Sequence, residues 1–418
     1  MRNSINLLKS GNFAMIFVVC HIVSFFSLFI SYSSGAIISG ILIATLVVHY
    51  RLVITQLYQG ENFFFLLLIF FQLCSFSSYF FVPESRDFFL KNPSIFLETI
   101  SYLFIPQIAF YFFGYYIGKS SKEKANAFKI IIVANLIFAI LSLFLHFLRP
   151  GFFTAFLARS VATGDDFEFY PRLTGYLNSM IVGILCSSCL VLSMKYLNSI
   201  SIKFISFIAF SLCVVFSLQR GAWASMAIGL SLFFIIAFFH RPILTVIRTV
   251  KYAFVLFLLG VFIVFGLSMT RFDILGSQLL ETINTDMLNK IASFSEAASE
   301  RADQKDSFFT LIKSYPLGIG FGLLSHKSAD LGFVYAIPDG NYYRIGGELG
   351  VFGLISFLFI IVIAVIKLYY KKEYTIIIVI LLYCLQAYGT NVFDLYMCGF
   401  LFWFLLGISF SVASNDTN

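Results

Sequence analysis

Four arginines stand beside long apolar stretches of the sequence: Arg172, Arg220, Arg301 and Arg344. Arg220 lies in SLQRGAWAS and separates two runs without charge, Phe204 to Leu218 and Gly221 to Phe239. A guanidinium keeps its charge when buried and pairs in a bidentate manner with phosphate oxygens. Several of them around one pocket would suit a diphosphate. The alternative for Arg220 is an interfacial anchor, whose apolar stem lets the charge reach the membrane surface.

Other polar residues near these arginines could take part in chemistry: Asn178, His326, Asp339, Asn341, Tyr342 and Glu348. Asp339 is the first candidate for a general base or a hydroxyl-orienting group, because partial desolvation makes a carboxylate more basic. Asp-Gly is also a turn signal, so Asp339 could serve only a turn. His326 is the second candidate base. Glu348 could orient Arg344, or it could be a functional group at the mouth of span ten.

The composition requires lipid as the solvent for most of the chain. Of 418 residues, 60% are hydrophobic and 12% are charged, whereas a soluble domain has about 25% charged residues. The net charge of +7 comes from residues that flank apolar runs, so it does not indicate nucleic-acid binding. The five histidines lack the spacing of zinc ligands. No metal and no cofactor is expected.

The predicted fold is an all-α polytopic membrane protein that forms a single integral membrane domain over residues 1–418. Runs of about 17–25 apolar residues predict twelve membrane spans. They are approximately 12–32, 35–50, 62–82, 95–118, 128–147, 174–196, 202–219, 221–239, 252–270, 346–367, 374–391 and 395–413.

The distribution of Lys and Arg predicts that both termini are cytoplasmic. With that orientation, the cytoplasmic face carries 15 of these residues and the short outer loops carry 6, which agrees with the positive-inside rule. The four arginines then belong to the outer face. So does the 75-residue loop 271–345 between spans nine and ten, in which the chemistry is therefore concentrated.

Within this loop, Gln278 to Ala298 and Ser299 to Ser314 are predicted to be helical, with Ser299 as an N-cap and Pro316 as the stop. The segment PLGIGFG, from Pro316 to Gly322, follows. It is either a turn whose amides approach an anion or a flexible connection.

Three patches resemble the O-antigen polymerase and ligase superfamily of bacterial surface polysaccharides. They are SLQRGAW at Ser217 to Trp223, RLTGYLNS at Arg172 to Ser179, and a long patch comprising Arg301, IKSYPLGIGFG and DGNYYRIGGELGVFGLISF. Twelve spans with one large outer loop in the second half also match this family. The resemblance covers roughly residues 170 to 360 and implies a GT-C-like glycosyltransferase architecture in the bacterial inner membrane, with the active site on the periplasmic face.

One departure favours a Wzy-type polymerase over a ligase. Ligases of this family carry a His directly before the Asn of the last loop segment, where this chain has Gly340 before Asn341. The resemblance then implies transfer of a growing glycan from undecaprenyl diphosphate onto a lipid-linked repeat unit. Arg172, Arg220 and Arg301 would stabilise the diphosphates, with Arg344 as a further candidate. Asn178, Asn341, Tyr342 and Tyr343 would contact sugar hydroxyls or only settle the loop.

The expected partners are the undecaprenyl-diphosphate-linked donor and acceptor, the lipid bilayer and, from the family, a chain-length regulator. Two alternatives stay open. A ligase would transfer finished polymer to lipid A core. A flippase or transporter would share the span count but would show paired halves and ionisable residues near the midplane.

Overall fold

A computed structural model describes residues 16–20, 22–23, 34–48, 60–148, 173, 179–217, 219–240, 308–325, 328–329, 331–335 and 340–411. Over these residues the chain is mainly helical and contains no strand. This result is consistent with the predicted all-α membrane protein. Span nine and the helix predicted at Gln278 to Ala298 lie outside the described residues, as does most of span one.

The described helices, numbered in chain order, follow the apolar runs of the sequence. They are α1 (Ser34–Val48), α2 (Phe63–Phe76), α3 (Ser78–Phe81), α4 (Pro83–Lys91), α5 (Ser94–Thr99), α6 (Ile105–Ile117), α7 (Ser121–Leu148), α8 (Ser179–Tyr196), α9 (Ile200–Phe216), α10 (Arg220–His240), α11 (308–314), α12 (Asn341–Tyr370), α13 (Tyr374–Gln386) and α14 (Tyr396–Phe410). A π-helical turn, Ile100–Phe104, joins α5 to α6.

Five stretches within the described residues are long and apolar enough to cross a membrane: Phe63–Phe81, Ser94–Ile117, Ser121–His146, Arg220–Phe238 and Asn341–Tyr370. Shorter apolar helices occur at Ile37–Val47, Ile181–Tyr196, Ile200–Phe216, Tyr374–Gln386 and Met397–Phe410. The total of twelve spans and the GT-C-like architecture stay predictions.

The chain divides into two compact units. The first comprises Met1–Ala127, Ala297–Glu373 and Tyr383–Asn418; the second comprises Phe128–Glu296 and Tyr374–Leu382. In the first unit α14 packs on α6 and α12 packs on α2, whereas in the second α8 packs on α9 and α10. Gly114 permits the contact between α6 and α14, because a Cβ there would lie 2.0 Å from the carbonyl oxygen of Phe404. Small residues allow such close helix packing in membranes.

Helix α12 starts five residues before the predicted span and is broken inside it. Gly350 has φ 72° and ψ −174°, which is not helical, so the helix consists of a short first part and a long second part. The backbone of the Gly-rich segment pairs with this break: Ile319 N–H donates to the Gly347 carbonyl at 3.0 Å, and Val351 N–H donates to that of Pro316 at 3.1 Å. Broken helices are tolerated at membrane depth when other backbone satisfies the freed groups.

Hydroxyl groups of α3 and α4 donate hydrogen bonds to the Gly-rich segment from its other side. Ser78 Oγ donates to the Gly318 carbonyl at 3.0 Å, Ser85 Oγ to that of Ile319 at 2.6 Å, and Tyr79 OH to that of Phe321 at 2.8 Å. The segment is therefore a packed part of the first unit.

Candidate functional site

The site is built on the first part of α12, where Arg344 and Glu348 are four residues apart. This spacing puts both side chains on one face of the helix, and Arg344 Nε donates to Glu348 Oε1 at 2.9 Å. The guanidinium also donates from Nη1 to Asp394 Oδ2 at 2.6 Å. The arginine thus meets two carboxylates, one from its own helix and one from the turn between α13 and α14.

Asn341, the first residue of α12, connects the helix to the same turn by hydrogen bonds. Its Nδ2 donates to Asp394 Oδ2 at 2.8 Å, and its Oδ1 accepts from Phe393 N–H at 3.0 Å. Its own N–H donates to the carbonyl of Ala387 at 2.8 Å. Asn341 is completely buried, so its contacts are to the protein, and the structure does not support the predicted contact with sugar hydroxyls.

The burial and charge of the cluster restrict what it can bind. The side chains of Arg344 and Glu348 are 6% and 2% exposed, whereas that of Asp394 is 22% exposed. One cation with two anions gives a formal charge of −1. The charge of Arg344 is thus already balanced by two carboxylates, and its contact with a diphosphate stays a prediction. Asp394 is the more exposed of the two carboxylates of the cluster.

The tyrosines beside the cluster are used for packing and hydrogen bonding. Tyr342 OH donates to the Cys384 carbonyl at 2.8 Å, and its contact with a sugar stays a prediction. Tyr343 packs edge-on against Phe308 of α11. In the loop, Tyr335 OH donates to Tyr315 OH at 3.2 Å, and Tyr315 OH donates to Glu84 Oε2 at 3.0 Å.

The second unit contains Arg220, which is the first residue of α10 and is half-buried. The turn before it is tightly held: Trp223 Nε1 donates to the Val214 carbonyl at 2.9 Å. A Cβ on Gly183 would lie 2.8 Å from Ala222 Cβ, so small residues are needed where α8 meets this turn. Leu173 N–H also donates to the Phe216 carbonyl, at 2.8 Å.

Five predicted site residues lie outside the described part of the chain: Arg172, Asn178, Arg301, His326 and Asp339. Their roles stay predictions. In the described residues, no group of three or more His, Cys, Asp or Glu side chains could hold a metal ion.

The interpretation of Pro316 to Gly322 as a flexible connection is wrong, and the structure does not support its interpretation as an anion-binding turn. The N–H groups of Gly318, Ile319 and Gly320 donate to carbonyl groups of the protein. The N–H of Leu324 donates to Glu348 Oε1 at 2.9 Å. These four amides are therefore occupied by groups of the protein.

Asp394 was not predicted from the sequence, although a signal for it exists. It is the single charged residue between Glu373 and Asp416, and a carboxylate between two apolar segments is costly enough to suggest a function. The signal was missed because Asp394 lies in the short connection between predicted spans eleven and twelve, where a charged residue is ordinary.

Gly340 has a conformation that requires glycine. Its φ is 116°, and an added Cβ would lie 2.5 Å from the carbonyl oxygen of Tyr388. A side chain here would clash with backbone atoms as well as strain the chain. The backbone at this position is therefore incompatible with histidine.

Residues 205–359 match a family model described as O-antigen ligase. The match supports the O-antigen ligase and polymerase superfamily. It includes Arg220, Arg344 and Glu348 but ends before Asp394, and it does not distinguish a polymerase from a ligase. A comparison with curated proteins finds no match. The apolar helices and this match together indicate a membrane protein.

Proposed function

We propose that this protein is a surface-polysaccharide polymerase of the bacterial inner membrane. It transfers a growing glycan from undecaprenyl diphosphate onto a lipid-linked repeat unit at the periplasmic face. An acceptor hydroxyl attacks the anomeric carbon, the bond to the lipid diphosphate breaks, and the hydroxyl proton is lost to a base. Charge then develops on the sugar and on the departing diphosphate.

The observation that carries the choice of a polymerase is the conformation of Gly340. The ligases that this chain resembles have a histidine directly before the loop asparagine. Here that position has φ 116° and no room for a Cβ. Both facts support a protein that performs its transfer without the ligase histidine.

Arginines are proposed to stabilise the departing diphosphate. Arg220 begins α10 beside a turn that Trp223 fixes, which is the kind of preorganised donor that helps catalysis. Arg172 is proposed to share this role from the family resemblance. Arg301 is proposed for the same role from the family resemblance.

Asp394 is proposed to orient the acceptor hydroxyl. Arg344 and Asn341 both donate to its Oδ2 atom, so the carboxylate is fixed before a substrate arrives. Preorganisation of this kind is a large part of the rate gained by positioning. Asp339 stays a second candidate for the base.

Deletion of the gene in its host tests the proposal, with the surface polysaccharide displayed on a gel. If the protein is a polymerase, the deletion strain should lose the ladder of long polysaccharide bands and show only lipid A core that carries one repeat unit. Loss of every polymer-bearing band, with long lipid-linked chains accumulating, would instead support the ligase. The family model described as O-antigen ligase is the observation that keeps this second function in view.

The Arg220→Ala variant tests the role of the arginine within that experiment. Loss of one preorganised donor costs about 10²–10³-fold in rate, so the complemented strain is expected to make only short chains. Arg86→Ala is the control, because Arg86 is half-exposed and its ion pair is with its neighbour Asp87. A polymer of normal length from the Arg220→Ala protein at normal expression would contradict the assignment.

A further inference from the structure

Glu348 joins the large loop to the cluster that contains Asp394. Its Oε1 atom accepts hydrogen bonds from Arg344 Nε and from the N–H of Leu324, both at 2.9 Å. Arg344 in turn donates to Asp394. A single carboxylate oxygen therefore links the end of the Gly-rich segment to the arginine that orients Asp394.

The backbone of Glu348 makes a second connection to the same segment. Its carbonyl accepts from Gly320 N–H at 3.3 Å and from Ser75 Oγ at 2.6 Å. The non-helical conformation of Gly350 releases this carbonyl from the regular helical pattern. Helix α2, the loop segment and α12 thus meet at one residue.

The approach between loop and helix is too close for side chains. A Cβ on Gly318 would lie 2.2 Å from the Glu348 carbonyl oxygen, and a Cβ on Gly350 would lie 2.2 Å from that of Pro316. Backbone bonds alone already hold these two segments together. Docking of the segment therefore does not explain why a charged carboxylate is buried beside it.

Burial of that carboxylate has a cost that a purely structural contact would not require. Ionisable groups inside a membrane protein are expensive and are usually paired. Glu348 is paired with Arg344, and the further bond to Leu324 N–H fixes the direction of its carboxylate. The fixed carboxylate of Glu348 holds the Arg344 guanidinium in place, and that guanidinium in turn holds the carboxylate of Asp394.

We propose that Glu348 is a positioning residue. It holds the side chains of Arg344 and Asp394 at a fixed position relative to the Gly-rich segment of the large loop. It does not touch the substrate. The inference rests on the proposed function, in which Asp394 meets the acceptor hydroxyl.

Steady-state rates of purified protein in nanodiscs, with a lipid-linked repeat unit as substrate, test this role. Glu348→Gln keeps an oxygen that can accept from Leu324 N–H but loses the charge, and Glu348→Ala removes both. Misplacement by about 1 Å can cost 10²-fold. We therefore expect kcat to fall about 100-fold in Glu348→Ala and about tenfold in Glu348→Gln, with KM within twofold of wild type.

Glu84→Gln is the matched control. Glu84 accepts a hydrogen bond from Tyr315 OH at 3.0 Å, so it contacts the same loop but by way of Tyr315. Its rate is expected to stay within twofold of wild type. An unchanged kcat in Glu348→Ala, or a rise in KM at constant kcat, would overturn the positioning role. If Glu348→Ala is not recovered as folded protein, the kcat of Glu348→Gln alone decides in the same way.

The assay also separates this inference from the proposed function. The wild-type protein is tested for lengthening of lipid-linked chains and for transfer to lipid A core. Transfer to core without lengthening contradicts the polymerase. The role of Glu348 is then decided in whichever transfer reaction the wild-type protein performs. The quantity compared is the kcat of each Glu348 variant divided by that of the wild type.

Discussion

The two ends of α12 use charge in different ways. Where α12 begins, Arg344 meets Glu348 and Asp394 in a buried cluster with a formal charge of −1. At the other end of α12, Lys371 Nζ donates to the carbonyl oxygens of Ile408 and Ser409 in the last turn of α14, at 3.3 and 3.0 Å.

The comparison separates a structural use of charge from one that needs a further reason. The last carbonyl groups of a helix have no partner within the helix, and a lysine near a C-terminus satisfies them. Lys371 is explained by this requirement alone. The Arg344 cluster buries more charge than the start of a helix needs, which is why we assign function to that end.

Among the changes that test this comparison, the largest expected effect comes from Asp394→Asn, which removes one charge from the functional end. Loss of a positioned carboxylate is expected to lower the rate of chain lengthening by about 100-fold, seen as a collapsed ladder in the complemented deletion strain. Glu373→Gln, at the other end, removes the ion pair with Lys124 and is the control. Ladders of equal length from both variants would remove the distinction between the two ends.

A smaller effect, on stability, is expected from Gly318→Ala. Gly318 has φ 87°, and a Cβ there would meet the Glu348 carbonyl oxygen at 2.2 Å. The free energy of unfolding should fall by about 2–3 kcal/mol, measured by thermal unfolding in detergent. Gly332→Ala is the matched control, because Gly332 has the same φ but no atom within 4 Å of an added Cβ. It should lose only about 1 kcal/mol, and an equal loss in both variants would show that the close approach is unimportant.

The smallest effect is expected from Lys371→Met, which keeps an apolar stem and removes the ammonium donor. The stability should fall by about 0.5 kcal/mol, the usual size for a cation near a helix C-terminus. The ladder of surface polysaccharide should keep its full length. A shortened ladder from well-folded protein would place function at this end as well.

The sequence was sufficient for helices that follow long apolar runs. The predicted span 95–118 compares with Ser94–Ile117, and 221–239 compares with Arg220–Phe238. Lipid exposure imposes this pattern on each segment locally, so no tertiary information was needed. The pairing of Glu348 with Arg344 could also be anticipated, because it follows from helical spacing.

The break at Gly350 and the role of Asp394 could not be predicted in this way. Ser75 and Glu348 are 273 residues apart, and Arg344 and Asp394 are 50 apart. Nothing in the local sequence shows that the Gly-rich segment pairs with α12, because the need for glycine arises only from the approach of the other backbone. Long-range contacts of this kind decide the geometry of the site.

The most direct test of the account uses purified wild-type protein in nanodiscs, supplied with lipid-linked repeat units and no core acceptor. The account predicts a ladder of longer chains that stay attached to the lipid diphosphate. Absence of lengthening, together with transfer of preformed lipid-linked polymer once lipid A core is added, would contradict it.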